Sequence, residues 1–250
     1  MEQRLAGKVI IVTGAESGIG RAITLRCAAE GATVTATGLV EDGLKETARL
    51  AGSKAIVLPL ATDVRDPDQV EAAVKRTVSE FGRLDAAVAN AGGSWAPMAP
   101  LIDADLEGWK KTIDTNLTGV FITLRAAARV LVAQGQGGSL LATGSSTAIR
   151  PMPYMYAYMA SKAGVHQLMR ALAVDLAPYR IRVNTIVPGG TATPPVFAQK
   201  DYAERNFPTV PMKELVQPEE IAAIVAFALS NEAPHMTGTL LKVDAGRTSF

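Results

Sequence analysis

The chain of 250 residues sets 25 Lys and Arg against 24 Asp and Glu, is 48% apolar and 20% charged, and carries a net charge of +1. That length suits one α/β domain with a large core. A charge so near zero gives no electrostatic footprint for nucleic acid or an anionic membrane. The longest purely apolar run, residues 221–229, falls well short of the roughly eighteen residues a membrane span needs. The opening MEQRLAGKV has an acidic second residue and no long apolar region, unlike a secretory signal. Cys27 stands alone in an apolar helical stretch, so it reads as a packing residue and fits a reducing cytoplasm.

Short β-branched runs alternate with longer helical patterns along the chain. The first run, VIIVT at 9–13, is apolar on consecutive positions, as in a strand covered on both faces. It passes directly into TGAESGIG at 13–20 and a helical pattern over 18–30. Glycine permits positive φ and close backbone approach, and a helix start offers free N–H groups and partial positive charge. Together these hold a diphosphate without many lysines. Gly14, Gly18 and Gly20 are spaced G-x-x-x-G-x-G, not the better-known G-x-G-x-x-G; a lone cluster of this kind is more often a tight turn, and its place between strand and helix reverses that in favour of the cofactor reading.

Strand TVTAT at 33–37 follows, then a helix over 42–51, strand AIVLPL at 55–60 and Asp63-Val64. Asp66-Pro67, a capping carboxylate before a first-turn proline, announces a helix over 67–81. Strand DAAVAN at 85–90 leads to Ala91 and Gly92, and the helical pattern over 105–133 contains Asn116, a mediocre helix former. Strand SLLAT at 139–143 precedes Ser145, a helix spans 156–177, and strand RVNTIV at 182–187 precedes PGGTAT at 188–193. Gln217-Pro218-Glu219-Glu220 opens a helix over 218–230, and TLLKV at 239–243 is the last strand. Segments near 135–138 and 188–195 read as loops. No repeat or linker divides the chain. The alternation predicts a single α/β domain over 1–250, a Rossmann-type doubly wound parallel sheet of about seven strands with helices on both faces.

The chemistry concentrates in YMASK at 158–162. On a helix, Tyr158 and Lys162 share one face. An ammonium near a phenol favours the phenolate and lowers a pKa that starts near ~10, which suits proton exchange with an alcohol or carbonyl oxygen. Ser145 lies thirteen positions before Tyr158 and offers a hydroxyl to the same oxygen. Tyr154 and Tyr156 have no lysine four residues on, and Ser146 misses the thirteen-residue spacing. His166 and His235 lack partners at metal-ligand spacing and no G-x-S-x-G elbow is present, so neither a metal site nor a hydrolytic triad is expected.

Seven segments in order, TGAESGIG at 13–20, Asp63-Val64, ANAG at 89–92, Asn116, Ser145, YMASK at 158–162 and PGGTAT at 188–193, resemble those of the short-chain dehydrogenase/reductase family from Lys8 to about Asp244. The resemblance implies an NAD(P)-dependent oxidoreductase that moves hydride between nicotinamide and a secondary alcohol or ketone. It implies a catalytic tetrad in which Tyr158 is the general acid/base, Ser145 orients the substrate oxygen, Lys162 tunes the tyrosine and binds the nicotinamide ribose, and Asn116 distorts its helix and supports proton exchange. Cofactor contacts carry over to Gly14, Ser17, Gly18, Ile19, Gly20, Gly38, Asp63 (adenine), Val64, Asn90, Ala91, Gly92, Pro188, Gly189, Thr191 and Thr193 (carboxamide), as well as to Tyr158 and Lys162.

By position the substrate wall draws on Ser145, Trp95, Thr147, Met155 and Gly190, with Ile149, Met152, Tyr154 and residues 194–214 nearby. Lys200, Arg205 and Lys213 are the cations able to reach inward. Counting seven positions from Gly31 puts Gly38 where NAD-dependent relatives carry aspartate, while Leu39 and Ser17 stand where NADP-dependent relatives carry a base. With Glu16, Glu41 and Asp42 close by, the reading is NAD over NADP with weak discrimination. The family likeness further implies a homotetramer, built on the helices at 105–133 and 156–177 (Val120, Phe121, Leu124, Val165, Leu168, Leu172) and on the last strand and C-terminal tail. Two other functions stay open: a reductase of carrier-protein-tethered oxoacyl substrates docked through Arg125, Arg129 and Arg170, and a dinucleotide-binding regulator without turnover.

Overall fold

Seven parallel strands form one sheet in the order β3-β2-β1-β4-β5-β6-β7: β1 Val9–Thr13, β2 Thr33–Gly38, β3 Val57–Ala61, β4 Ala86–Ala89, β5 Gly138–Thr143, β6 Ile181–Pro188 and β7 Leu240–Val243. The structure, a computed structural model, describes residues 3–198 and 201–249. Alternate residues of β1 serve opposite layers: Ile10 and Val12 pack with the helices of one face and Ile11 with those of the other. This alternation explains why the run is apolar without interruption.

One face is covered by α1 (Gly18–Ala29), α2 (Glu41–Ala51) and α9 (Pro218–Leu229), whose Ile23, Leu44, Ile221 and Val225 join the core. Cys27 lies fully buried in this layer, and burial pushes its thiol up to about 12. The opposite face is covered by α3 (Pro67–Phe81), α5 (Gly119–Gln134) and α6 (Tyr156–Leu176), through Val74, Leu124, Leu131, Val165 and Met169. Helix boundaries follow local chemistry. The Asp66 carboxylate accepts from the N–H groups of Asp68 and Gln69, and α3 ends at Gly82 in the left-handed region. At α9, Glu220 reaches back to accept from the Gln217 N–H at 2.6 Å.

Three regions depart from the sequence expectation. The pattern over 105–133 is two helices, α4 (Leu106–Ile113) and α5, joined by a wide π-type turn at Asp114–Thr118 that contains Asn116. Within Leu106–Gln134 one window has the length and mean hydropathy (1.3) to cross a membrane, but half of that window is buried within the molecule, as in a core helix. The segments read as loops are partly structured, since Gly138 starts β5, Pro188 ends β6, and α7 (Pro194–Phe197) and α8 (Tyr202–Asn206) follow. These helices are only 4 and 5 residues long, too short to show a period. Of the residues expected at a subunit interface, Val120, Leu124 and Val165 belong to the core, whereas Phe121 is exposed and Leu168 and Leu172 are partly buried.

Candidate active site

β1 and β4 are neighbours in the sheet while their connections run to opposite sides, which opens a crevice beyond their carboxyl ends. Asn90, just past β4, closes the base of this crevice. Its amide donates to the carbonyls of Thr13 (3.0 Å) and Gly14 (3.4 Å) and accepts from the Thr143 hydroxyl (3.0 Å). The Thr13 hydroxyl in turn accepts from the N–H groups of Asn90 and Ala91, each at 3.0 Å. One asparagine and one threonine thus tie together the ends of β1, β4 and β5.

The loop after β1 has the shape a dinucleotide requires. Gly14 takes φ +66, and a Cβ there would stand 2.8 Å from the Ala91 Cα; at Gly20 a Cβ would collide with the Gly14 carbonyl. Gly18, at φ +51, faces Thr193, whose methyl would be 3.2 Å from an added Cβ. Ser17 makes no side-chain cap bond, and the first turn of α1 contains no acidic residue. By contrast Asp66 and Asp105 cap α3 and α4. The α1 start therefore keeps its N–H groups and partial positive charge for an anion, and the glycines at 14, 18 and 20 put no side chain in its way at those positions. At the far side, Val64 is buried and the Asp63 carboxylate is forked onto Arg65, which holds it below the usual carboxylate range. The Thr191 hydroxyl donates to the Gly189 carbonyl (3.1 Å) and that of Thr193 to Thr191 (3.3 Å). Gly189 lies against the backbone of Asp244.

Ser145, Tyr158 and Lys162 converge at the same edge. Ser145 follows β5 and opens a short 3-10 turn, where its Oγ accepts from the Thr147 N–H (3.2 Å) and pairs with the Thr147 hydroxyl (2.9 Å). The Ser145 side chain lies close enough to the Tyr158 hydroxyl to favour its ionised form. Lys162, one turn along α6, is buried and donates from Nζ to the Thr143 carbonyl at 2.7 Å. Burial lowers its pKa from 10.5 to about 8. The expected effect of this lysine on the tyrosine is not what the geometry gives. Nζ lies 5.8 Å from the ring centroid, and burial raises the phenol above its ordinary value, the Ser145 side chain opposing and Tyr202 adding to the rise. Desolvation of the phenolate outweighs a lysine that is itself desolvated.

Asn116 sits below this group. Its amide donates to the Gly93 carbonyl (2.9 Å) and the Ser161 hydroxyl (3.0 Å) and accepts from the Gly93 N–H (2.9 Å), while Ser161 donates to the Tyr158 carbonyl (2.7 Å). A Cβ on Gly92 would stand 2.8 Å from the Asn116 Oδ1 and 3.4 Å from the Lys162 Nζ. Glycine at 92 thus lets the asparagine and the lysine approach the same strand end.

Beside Tyr158 a recess is lined by Ala96, Trp109, Tyr154, Met155 and Tyr156, among others. Tyr154 adopts φ +67, a strained backbone for a bulky residue. Trp95 stands over Gly93 with the Lys111 ammonium 5.6 Å from its ring centre. Lys200 and the side chain of Arg205 lie outside the described residues. Two contributors, Trp109 and His166, had no sequence signal, and a third, Tyr202, falls within the stretch 194–214 expected at the substrate wall. Trp109 reaches the recess from α4. The Tyr202 hydroxyl approaches Gly190 so closely that a Cβ there would collide with it. His166, kept neutral by burial with a pKa of about 4, accepts from the Ser145 N–H at 3.3 Å.

A family model described as enoyl-(acyl carrier protein) reductase matches residues 14–248. The chain is 38% identical to a cis-4-hydroxycyclohexanecarboxylate dehydrogenase of Sinomonas cyclohexanicum over 100% of both chains. A short-chain type dehydrogenase/reductase from Mycobacterium marinum superposes with TM-score 0.92 at 37% identity, covering 98% of this chain and 96% of that one. A 3-ketoacyl-(acyl-carrier-protein) reductase from Brucella melitensis, solved with NADH, does so with TM-score 0.91 at 32% identity over 98% and 99%. With the glycine cradle and the Ser-Tyr-Lys cluster at one sheet edge, these likenesses establish that the chain belongs to the short-chain dehydrogenase/reductase family of NAD(P)-linked oxidoreductases.

Proposed function

We propose that the protein interconverts a small secondary alcohol and its ketone, with NAD as the preferred partner and Asn116, Ser145, Tyr158 and Lys162 as the catalytic group. The observation that carries this reading is the convergence of Ser145, Tyr158 and the buried Lys162 at the carboxyl edge of the sheet that also holds the glycine cradle. When bound, the dinucleotide supplies or accepts the hydride at the substrate carbon. Ser145 holds the substrate oxygen, with its own backbone fixed by His166 and its hydroxyl oriented by Thr147. Tyr158, which burial favours in its protonated form, donates to a carbonyl oxygen during reduction and becomes the phenolate; in oxidation that phenolate accepts the alcohol proton. Lys162 fixes the floor of the site through Thr143, and Asn116 holds the strand-end loop and, through Ser161, the first turn of α6.

The diphosphate falls to the Gly14–Gly20 loop, the adenosine end to Gly38, Asp63 and Val64, and the nicotinamide end to Pro188, Gly189, Thr191 and Thr193. Trp109, Tyr154 and Met155 shape an apolar recess for the substrate. A screen of secondary alcohols and ketones, read by nicotinamide absorbance, tests the assignment. Turnover of several small substrates supports it, and binding of dinucleotide without any turnover assigns the chain to regulation instead.

A second reading, reduction of carrier-tethered oxoacyl groups, draws on the description of the matching family model and on the Brucella relative. Arg125 and Arg170 are exposed, whereas Arg129 is paired with Glu71 at 3.0 Å; activity confined to thioester-linked substrates decides for it. The same reading includes a cytoplasmic homotetramer. Phe121 and Val174 leave apolar surface on α5 and α6, at 45% and 78% exposure, and β7 is an edge strand. Light scattering at micromolar concentration is expected to give the tetramer mass, and a stable monomer refutes it.

A further inference from the structure

The end of β2, where an acidic side chain commonly receives the adenosine ribose, carries Gly38 and no carboxylate. A carboxylate nevertheless stands there, brought from a different loop. The side chain of Glu16, two residues after Gly14, lies against Gly38: a Cβ on that glycine would collide with Oε2 and would stand 2.6 Å from Cδ and 2.9 Å from Oε1. Oε1 accepts from the Leu39 N–H at 3.3 Å, while Oε2 is buried and has no hydrogen-bond partner among the described residues.

The residue is held in this position. Its carbonyl accepts from the Arg21 guanidinium at 2.5 Å, and a Cβ on Gly43 would stand 2.8 Å from the Glu16 Cβ. Two glycines, on β2 and α2, therefore clear the volume that Glu16 fills. Arg21 does not neutralise it, because that guanidinium is spent on the carbonyls of Glu16 and Gly43 and on the Thr47 hydroxyl. None of the ion pairs among the described residues includes Glu16. A buried acceptor left unsatisfied destabilises the fold, and a ligand hydroxyl at this place removes that penalty.

We propose that Glu16 is the cofactor-selecting residue of this protein: it accepts from the 2′-hydroxyl of an NAD(H) adenosine ribose and repels the 2′-phosphate of NADP(H), with Gly38 kept small to admit it. The proposal rests on the dinucleotide reading above. An added phosphate would meet a carboxylate that no cation pairs among the described residues, and like charges brought together in this way disfavour the wrong ligand.

Calorimetric titration of the purified protein with NAD and with NADP tests this without reference to turnover. The wild type is expected to bind NAD at least ~10-fold more tightly, a difference of about 1.4 kcal/mol. Glu16→Gln keeps the volume and removes the charge, and it should move the NAD/NADP affinity ratio towards NADP by ~10-fold or more. Gly38→Ala, with Glu16 intact, should lower NAD affinity by displacing the carboxylate, and serves as the second variant if Glu16→Gln fails to fold. A ratio that moves less than ~3-fold in the variant that folds, with both nucleotides still bound, overturns the role of Glu16 and leaves the dinucleotide site standing. Failure of the wild type to bind either nucleotide overturns the underlying reading and the proposal with it.

Discussion

The ammonium of Lys162 is buried with one hydrogen bond, to the Thr143 carbonyl, and burial alone depresses its pKa from 10.5 to about 8. The consequence for stability has a definite sign. At neutral pH both folded and unfolded chains carry the proton, so the folded state bears the desolvation cost. Between about 8 and 10.5 the unfolded chain still binds the proton and the folded chain does not, so this contribution to stability rises with pH across that window. At 1.36 kcal/mol per pKa unit, the gap between 10.5 and about 8 corresponds to about 3 kcal/mol. Urea unfolding of the cofactor-free protein at about pH 7 and about pH 10, for wild type and Lys162→Met, isolates it, because the remaining titrations are largely common to both chains. The wild type should gain roughly 2–3 kcal/mol relative to the variant between those conditions. Parallel pH dependence within about 0.5 kcal/mol would show that Lys162 keeps an ordinary pKa and that the desolvation argument fails.

Gly14→Ala places a Cβ 2.8 Å from the Ala91 Cα at a backbone φ of +66; a loss of about 2 kcal/mol or more is expected by urea denaturation, together with weakened dinucleotide binding by calorimetry. Asn116→Ala strips the Gly93 N–H and carbonyl and the Ser161 hydroxyl of their partner. It should cost about 2–4 kcal/mol in the same assay and speed exchange of the Gly93 amide. Cys27, with its thiol pushed up to about 12 and fully buried, should resist alkylation in the native protein and react only on unfolding, as followed by mass spectrometry.

Much of this architecture is legible in the sequence because strands covered on both faces must be apolar throughout, and the seven strands lie within two residues of the runs that the sequence shows. Caps such as Asp66-Pro67 act locally and so announce themselves. The site is legible where chemistry demands fixed spacing: Tyr158 and Lys162 share a helix face, and Ser145 follows β5. What sequence could not convey depends on contacts between distant segments. Glu16 reaches Gly38 only because Gly38 and Gly43 are both small. Tyr202 and Trp109 arrive from helices whose placement no periodicity fixes. The direction of the Tyr158 shift escapes the sequence for the same reason. Spacing reveals that a lysine is near, but not that both groups are desolvated or that the ammonium lies 5.8 Å from the ring centre.

The most direct test of the proposed chemistry is the turnover of Tyr158→Phe on a ketone or alcohol that the wild type accepts. The substitution removes the transferable proton and retains the ring, so kcat/KM should fall at least ~100-fold, the usual contribution of a general acid–base group. Dinucleotide affinity measured by calorimetry should stay close to that of the wild type, because the fold and the glycine cradle are untouched. Near-normal turnover by this variant would contradict the assignment of Tyr158 as the proton donor and acceptor.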